Sequence, residues 1–303
     1  MPRVLHTSQA LVDVILEVDA LPERGGNANA RRETTYAGGA VTTLIAAART
    51  GAQAVHGGAH GTGPRGDLIR EALARDGVAL SDAPRPEADT GYCTVLLEPS
   101  AERTFVTVYG AERQITAASL ATLDPRPGDL LCVSGYSLFE PTREPLLEFL
   151  EALPEGVSVV LDPGDPFAHF PRAVQDRVLA RTTVWTSNAD EARALTDLDA
   201  LEDTPASIRR RLAPGAVIVV RDGERGCLVF HHGRGTEIPA FPQQAVDTNG
   251  AGDTHTGVLL AERALGADWE SAATRANAAA AIAVTRRGTE SAPTRFEVDA
   301  FLA

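Results

Sequence analysis

Hydrophobic and polar positions follow two rhythms along this chain. The runs "DLLCVSG" (129–135), "VSVVLDPG" (157–164), "TTVWTSN" (182–188) and "AVIVVRDG" (216–223) are β-rich, mostly apolar, and stop at Gly, Asn or Asp. Continuous short apolar runs predict strands covered on both faces. Between them lie stretches of helical period, "TREPLLEFLEAL" (142–153) and "DEARALTDL" (190–198). Upstream, "VLHTSQALVDVILEV" (4–18) reads as a strand and "GAVTTLIAAARTG" (39–51) as a helix ending at Gly51. A short strand (53–59) and a helix (66–78) follow. This alternation predicts an α/β fold, a doubly wound, mostly parallel sheet with helices on both faces. It runs through both halves, so one domain over residues 1–303 is expected.

One section breaks the rhythm. "GYCTVLLEP" (91–99) and "RTFVTVYG" (103–110) are joined by "SAE" with no helix between, a hairpin pattern. With "DVILEVDALPERGG" (13–26) it predicts a small antiparallel sheet, from about 13–36 and 90–112, serving as a lid or as an edge extension. The last third is helical. "GVLLAERALG" (257–266) keeps Val258, Ala261 and Leu265 on one face, and Ala-rich 268–288 opens on Asp268 as N-cap.

Composition narrows the function. A formal net charge of −13 repels nucleic-acid backbones and anionic membranes but allows a small anionic ligand in a locally positive pocket. All 28 basic residues are Arg. Without Lys there is no P-loop, no protein-kinase strand Lys and no Schiff-base chemistry. Cys93, Cys132 and Cys227 form no CxxC, which fits a reducing cytoplasm rather than a disulfide framework. The first residues read as a strand, not a signal peptide, since Asp13 and Glu17 interrupt the apolar stretch. No run approaches the roughly 20 apolar residues of a membrane span.

The candidate chemistry lies in "AVDTNGAGDTHTGVLL" (245–260). An EF-hand read from Asp247 fails at Ala251 and Val258. A dinucleotide fingerprint read from Gly250 meets His255 where its third Gly belongs. A phosphate cradle fits. Gly250, Ala251 and Gly252 leave bare amides, and a helix starting near Asp253 offers them to an anion. Asp253 can then take the proton of an attacking hydroxyl while the amides stabilise the transferred phosphoryl. The plainer alternative is an N-cap Asp after a Gly-rich turn.

"DTNGAGD" (247–253) resembles the DTxGAGD signature of the ribokinase-like (PfkB) carbohydrate kinase family at every defined position. Asp13, "AGGAVTTLIAAARTGA" (37–52), "TSNADEARALT" (186–196), "VVRDGERGCLV" (219–229) and "RANAAAAIAVTRRGTESAP" (275–293) resemble its other features in order. The resemblance implies transfer of the γ-phosphoryl of ATP to a sugar hydroxyl, under a β lid that often makes a dimer contact in relatives. It implies Asp253 as base and Gly250, Ala251 and Gly252 as anion hole. It places Asp13, Gly38, Gly39 and Thr43 on the sugar. It places Asn188, Glu191, Gly223, Gly226 and Asn277 on the nucleotide side, with Glu191 reaching Mg²⁺ through water. Asp247, Asn249, Ala283, Gly288 and Ser291 match a monovalent-cation (K⁺) site of potassium-activated relatives. With no Lys present, Arg221 and Arg103 are candidates for positive charge at the phosphates.

Departures from the family pattern bear on the acceptor. Thr43 replaces the Asn of the Gly-Gly signature, Gly63 the second acid of GDDxxG, Glu112 the Asn of GAN, and His255 the usual Phe. The first reading is therefore an ATP-dependent carbohydrate kinase acting on a small sugar-like molecule and forming a homodimer through the lid. A nucleoside kinase of the same family is the nearest alternative. A catalytically silent sugar- or nucleotide-binding regulator comes next, and a nicotinamide oxidoreductase last. His255 is packed, or contacts phosphate or sugar.

Overall fold

The fold was analysed in a computed structural model, which describes residues 1–100, 102–288 and 291–303. Ala101 of the hairpin link, and Thr289 and Glu290 of the 275–293 segment, lie outside the described residues. The strands in chain order are β1 (Arg3–His6), β2 (Ala10–Val18), β3 (Ala30–Gly39), β4 (Gln53–His56), β5 (Ala79–Leu80), β6 (Tyr92–Leu97) and β7 (Arg103–Val108). Then follow β8 (Leu130–Ser134), β9 (Ser158–Asp162), β10 (Thr182–Asn188), β11 (Val217–Arg221), β12 (Cys227–His231) and β13 (Arg234–Ile238). Nine of them form one sheet in the order β13-β12-β11-β10-β9-β8-β1-β4-β5, parallel except for β12 and β13.

The continuous apolar runs have their predicted cause. Along β8, Leu131 and Val133 enter the core on one face, while Leu130 and Cys132 enter the core on the other. Helices cover both faces, so both sides of such a strand favour apolar residues.

The stretch 4–18 is not one strand, which corrects the sequence reading. Residues 7–9 carry the chain out of the large sheet, with the Ser8 amide donating to His6 Nδ1. The second half, β2, joins β3, β6 and β7 in a separate four-stranded sheet, order β3-β2-β6-β7. The break falls at the polar Thr7, Ser8 and Gln9, which interrupt the apolar run between the two strands. The outer pairs of this sheet are antiparallel and the central β2/β6 pair is parallel.

Four helices position the site. Ala40–Arg49 follows directly from β3. Ala189–Thr196 follows directly from β10. Ala251–Ala264 packs against Ala40–Arg49 so closely that a methyl on Gly257 would overlap the Thr43 carbonyl. Trp269–Ala283 is capped by the Asp268 side chain, as predicted, but stops at Ala283 rather than running to 288. Among the described residues no helix is long and apolar enough to cross a membrane.

Candidate active site

The C-terminal edge of the large sheet gathers the polar groups. Asp162 ends β9, Asn188 ends β10 and Arg221 ends β11, with Asn188 opposite Arg221 in register. In a parallel sheet with helices on both faces, such an edge is where ligands bind. Arg221 donates to Thr186 Oγ1 at 2.7 Å and Thr256 Oγ1 at 2.9 Å, and to Asp162 Oδ2 at 3.4 Å. Its guanidinium is thereby fixed beside Gly252, where a methyl group would stand at ordinary contact distance from it.

Gly250 caps the helix Ala251–Ala264 in the left-handed conformation, φ 74°, which explains a glycine there. No side chain caps this end. The Ala251 amide leans to the Thr248 carbonyl at a long 3.4 Å. The Gly252 and Asp253 amides belong to the first turn, which has no intrahelical acceptor. An anion there meets bare N–H groups and the positive end of the helix dipole.

Asp253 sits in that turn and faces inward. Thr43 Oγ1 approaches its Oδ1 at 3.5 Å. Burial first, then the neighbouring charges of Asp162 and Asp13, push its pKa up to about 7, against the opposing pull of Arg221 and Thr43. Asp13, on β2, is raised to about 6 by burial. Its carboxylate lies against Gly38 of β3, where a methyl group would overlap Asp13 Oδ2. Gly39 next to it turns the chain into the helix bearing Thr43, and the Ala40 amide donates to the Gln9 carbonyl. The small sheet thus brings Asp13, Gly38 and Gly39 to the same centre as Thr43 and Asp253.

Asn188 and Glu191 form a reciprocal capping box. Asn188 Oδ1 accepts from the Glu191 amide at 2.8 Å, and Glu191 Oε2 accepts from the Asn188 amide at 2.9 Å. The helix-start and site readings of this segment therefore coexist. Burial and then Asp162 push Glu191 up to about 7, with Arg221 opposing. A pair of carboxylates with little compensating charge suits a hydrated divalent cation. Among the described residues no cluster of three or more His, Cys, Asp or Glu could hold a metal by itself.

A cavity of about 400 Å³ opens beside Asn188, Arg221 and Gly252, with Gly223 and Gly226 in its wall. Its far wall is apolar, formed by Phe241, Pro242, Ala280, Ala281 and Val284. Asn277 lines it too, but its amide is already engaged. Nδ2 donates to the Ile238 and Pro239 carbonyls, and Oδ1 meets His255 Nε2 at 3.1 Å. His255 is buried, and burial followed by Arg221 lowers its pKa to about 3. The ring lines the cavity and packs against Asn277, which holds the Ile238 and Pro239 carbonyls.

Two departures noted in the sequence have local explanations. A side chain at Gly63 would overlap Asp89, whose carboxylate accepts from the Gly66 amide at 2.9 Å and the Arg65 amide at 3.2 Å. Asp89 therefore fills that place and caps the helix Pro64–Arg75 from another segment. Glu112 is buried, with Oε2 on the Gly91 amide at 2.6 Å and Oε1 on the Gly110 amide at 2.8 Å, so it holds a turn. Sequence reasoning also missed Tyr136, which stands half exposed beside Asp165, Glu191 and Asp162. A lone Tyr after a strand carries no signal that would have found it.

Comparisons with known proteins agree with this geometry. The profile of the pfkB family carbohydrate kinases matches residues 1–295. An uncharacterized sugar kinase, YegV, of Escherichia coli (strain K12) is 35% identical over 298 residues, 97% of this chain and 92% of its own. The chain also spans 54% of a bifunctional relative, HldE of Bradyrhizobium sp. (strain ORS 278). The fold matches that of adenosine kinase from Sinorhizobium meliloti (TM-score 0.86, 19% identity, 100% of this chain and 99% of that one). It also matches a putative ribokinase II from E. coli in complex with ATP and Mg²⁺ (TM-score 0.84, 22% identity, 100% and 99%).

Proposed function

The chain belongs to the pfkB family of carbohydrate kinases, and from that premise we propose that it transfers the γ-phosphoryl of ATP to a hydroxyl of a sugar or sugar-like alcohol, with Asp253 as general base. One observation carries this reading. A carboxylate with its pKa pushed up to about 7 stands in the uncapped first turn of a helix, next to a cavity large enough for a nucleotide. A base of that strength takes a hydroxyl proton near neutral pH and is increasingly protonated below it. The Gly250, Ala251 and Gly252 amides receive the charge of the transferred group, and Arg221 sits beside them in place of a Lys.

The acceptor lies between Asp13 and Asp253. Asp13 is a buried carboxylate facing Gly38, suited to two hydroxyl donors of a polyol. Thr43 adds one hydroxyl where an amide would offer two donors, which disfavours ribose itself. The adenine lies against the apolar wall of the cavity, near the loop held by Asn277. Mg²⁺, when bound, neutralises charge between the phosphates. Asp162 and Glu191 would hold it, and the charge of Asp162 adds to burial in raising the pKa of Glu191. The small sheet acts as a lid, since it carries Asp13. Its outer strand β7 exposes Phe105, Val106 and Val108, an apolar face through which a second copy docks. Three buried thiols and the use of ATP support a cytoplasmic location.

A panel of pentoses, hexoses, keto-deoxy acids, polyols and nucleosides, incubated with MgATP and read by product mass, tests the reading. The expected result is one phosphorylated sugar or polyol with ADP in equal amount. A phosphorylated nucleoside would move the assignment to a nucleoside kinase. Saturable binding with no phosphorylated product from any acceptor would leave a silent binding protein.

A further inference from the structure

Resting on the kinase reading, this inference concerns what holds the phosphate-facing loop. Arg103 opens β7, on the small sheet, and crosses to the loop that precedes the helix Ala251–Ala264. Its Nη2 donates to Thr248 Oγ1 at 2.7 Å and lies 3.6 Å from Asp247 Oδ1. Asp247 is otherwise fully engaged. Oδ1 accepts from the Asn249 amide at 2.9 Å, and Oδ2 from the Gly288 amide at 3.1 Å. The Val246 and Asp247 amides both donate to the Val284 carbonyl, at 2.7 and 3.1 Å.

The monovalent-cation positions implied by the family resemblance are Asp247, Asn249, Ala283, Gly288 and Ser291. In this chain they close on one another. The Ala283 carbonyl accepts from the Arg286 amide at 3.0 Å, and the Gly288 carbonyl from the Ser291 amide at 3.2 Å. The carboxylate that would meet the ion instead faces a guanidinium. Both groups are mostly shielded, with side-chain exposures of 23% for Arg103 and 15% for Asp247, so water does not screen them as it does a surface pair. A second bridge, Arg287 Nη1 to Glu17 Oε1 at 2.8 Å, ties β2 to the segment after the helix Trp269–Ala283. Between the two bridges lies a cavity of about 280 Å³, into which Arg31 and Glu98 also face. Arg103 already brings to Asp247 the positive charge that a K⁺ ion would supply.

We propose that Arg103 is a positioning residue that holds Asp247 and Thr248 from the small sheet. The loop reaching Gly250 is then set without a monovalent cation, and only when the small sheet is in place. The lid and the anion hole become one mechanical unit. A closed lid orders the amides, and an open one releases them.

The test compares wild type, R103A and R103K in KCl and in tetramethylammonium chloride at equal ionic strength. Steady-state kinetics and melting temperature are both read. Wild-type kcat is expected to agree within about twofold between the two salts, since screening is the same in each. R103A is expected to lose about tenfold in kcat with a smaller change in the KM for ATP, the scale of one charge-assisted hydrogen bond. K⁺ should recover part of that loss and raise the melting temperature of R103A but not of wild type. R103K should keep most of its turnover without K⁺. Strong K⁺ activation of wild type, or an R103A variant with unimpaired kcat, would overturn the proposal. Absence of turnover with every acceptor would count against the kinase reading alone. The ion dependence of the R103A melting temperature would still decide the role of Arg103.

Discussion

Asp253 is surrounded by charges that disagree. Asp162 and Asp13 raise its proton affinity and Arg221 lowers it, while burial raises it most. The catalytic consequence has a definite sign. The base works only as carboxylate, so kcat/KM should fall about tenfold per pH unit below pH 7 and level off above it. A flat profile from pH 5.5 to 8, measured with the acceptor found in the panel, would contradict the assignment. The same shift has a stability consequence. The folded group keeps its proton up to about 7, whereas the unfolded one releases it near 3.8. This contribution to folded stability is fully present below the unfolded value and is lost as pH rises to 7. An Asn at 253 removes that loss, so the variant should fold at least as well as wild type.

Residues inside the contiguous motif were readable from sequence because their neighbours are fixed by chain order. Gly250 caps the helix, and Asp253 follows in its first turn. Contacts between distant segments left no such trace. Arg103 and Thr248 are 145 positions apart, and neither type at its own position announces the other. Asp89 in the place of a lost acid at Gly63 is the same case. The chain replaced a side chain by one from another loop, and spacing within "GTGPRG" could not report it.

At the scale of elements, the site depends on how two helices touch. Ala40–Arg49 brings Thr43, and Ala251–Ala264 brings Asp253. Gly257 lets them approach until its Cα lies under the Thr43 carbonyl. Gly257→Ala should push them apart, costing about 1–3 kcal/mol of stability as overpacking in a close-packed interior does. Urea unfolding checks this, and turnover should fall further than stability alone explains, because the Thr43–Asp253 contact opens. A variant with unchanged stability would mean that the helices tolerate the methyl group. Fully buried strands were legible through their unbroken apolar runs. Residues 4–18 form two strands whose division lay in the polar Thr7, Ser8 and Gln9, a short interruption that does not itself report a change of sheet. The helix Arg295–Leu302 shows the opposite. Its start was written in Thr294 and Glu297, a reciprocal capping box, and went unused.

The whole molecule separates its two tasks in space. The large sheet and its C-terminal edge hold the nucleotide side, with the cavity, Arg221 and the Asn188–Glu191 box. The small sheet carries Asp13, reaches the loop before Gly250 through Arg103, and meets Arg287, after the helix Trp269–Ala283, through Glu17. On the proposed function, transfer takes place where the two meet, at Asp253. Removing the base while leaving the rest intact therefore divides the functions. The most direct test is the turnover of Asp253→Asn at saturating MgATP and acceptor, with nucleotide affinity measured on the same preparation. The account predicts a loss of about 10²–10⁴ in kcat, the range for a general base, with nucleotide affinity close to wild type. Near-wild-type turnover by this variant would contradict it.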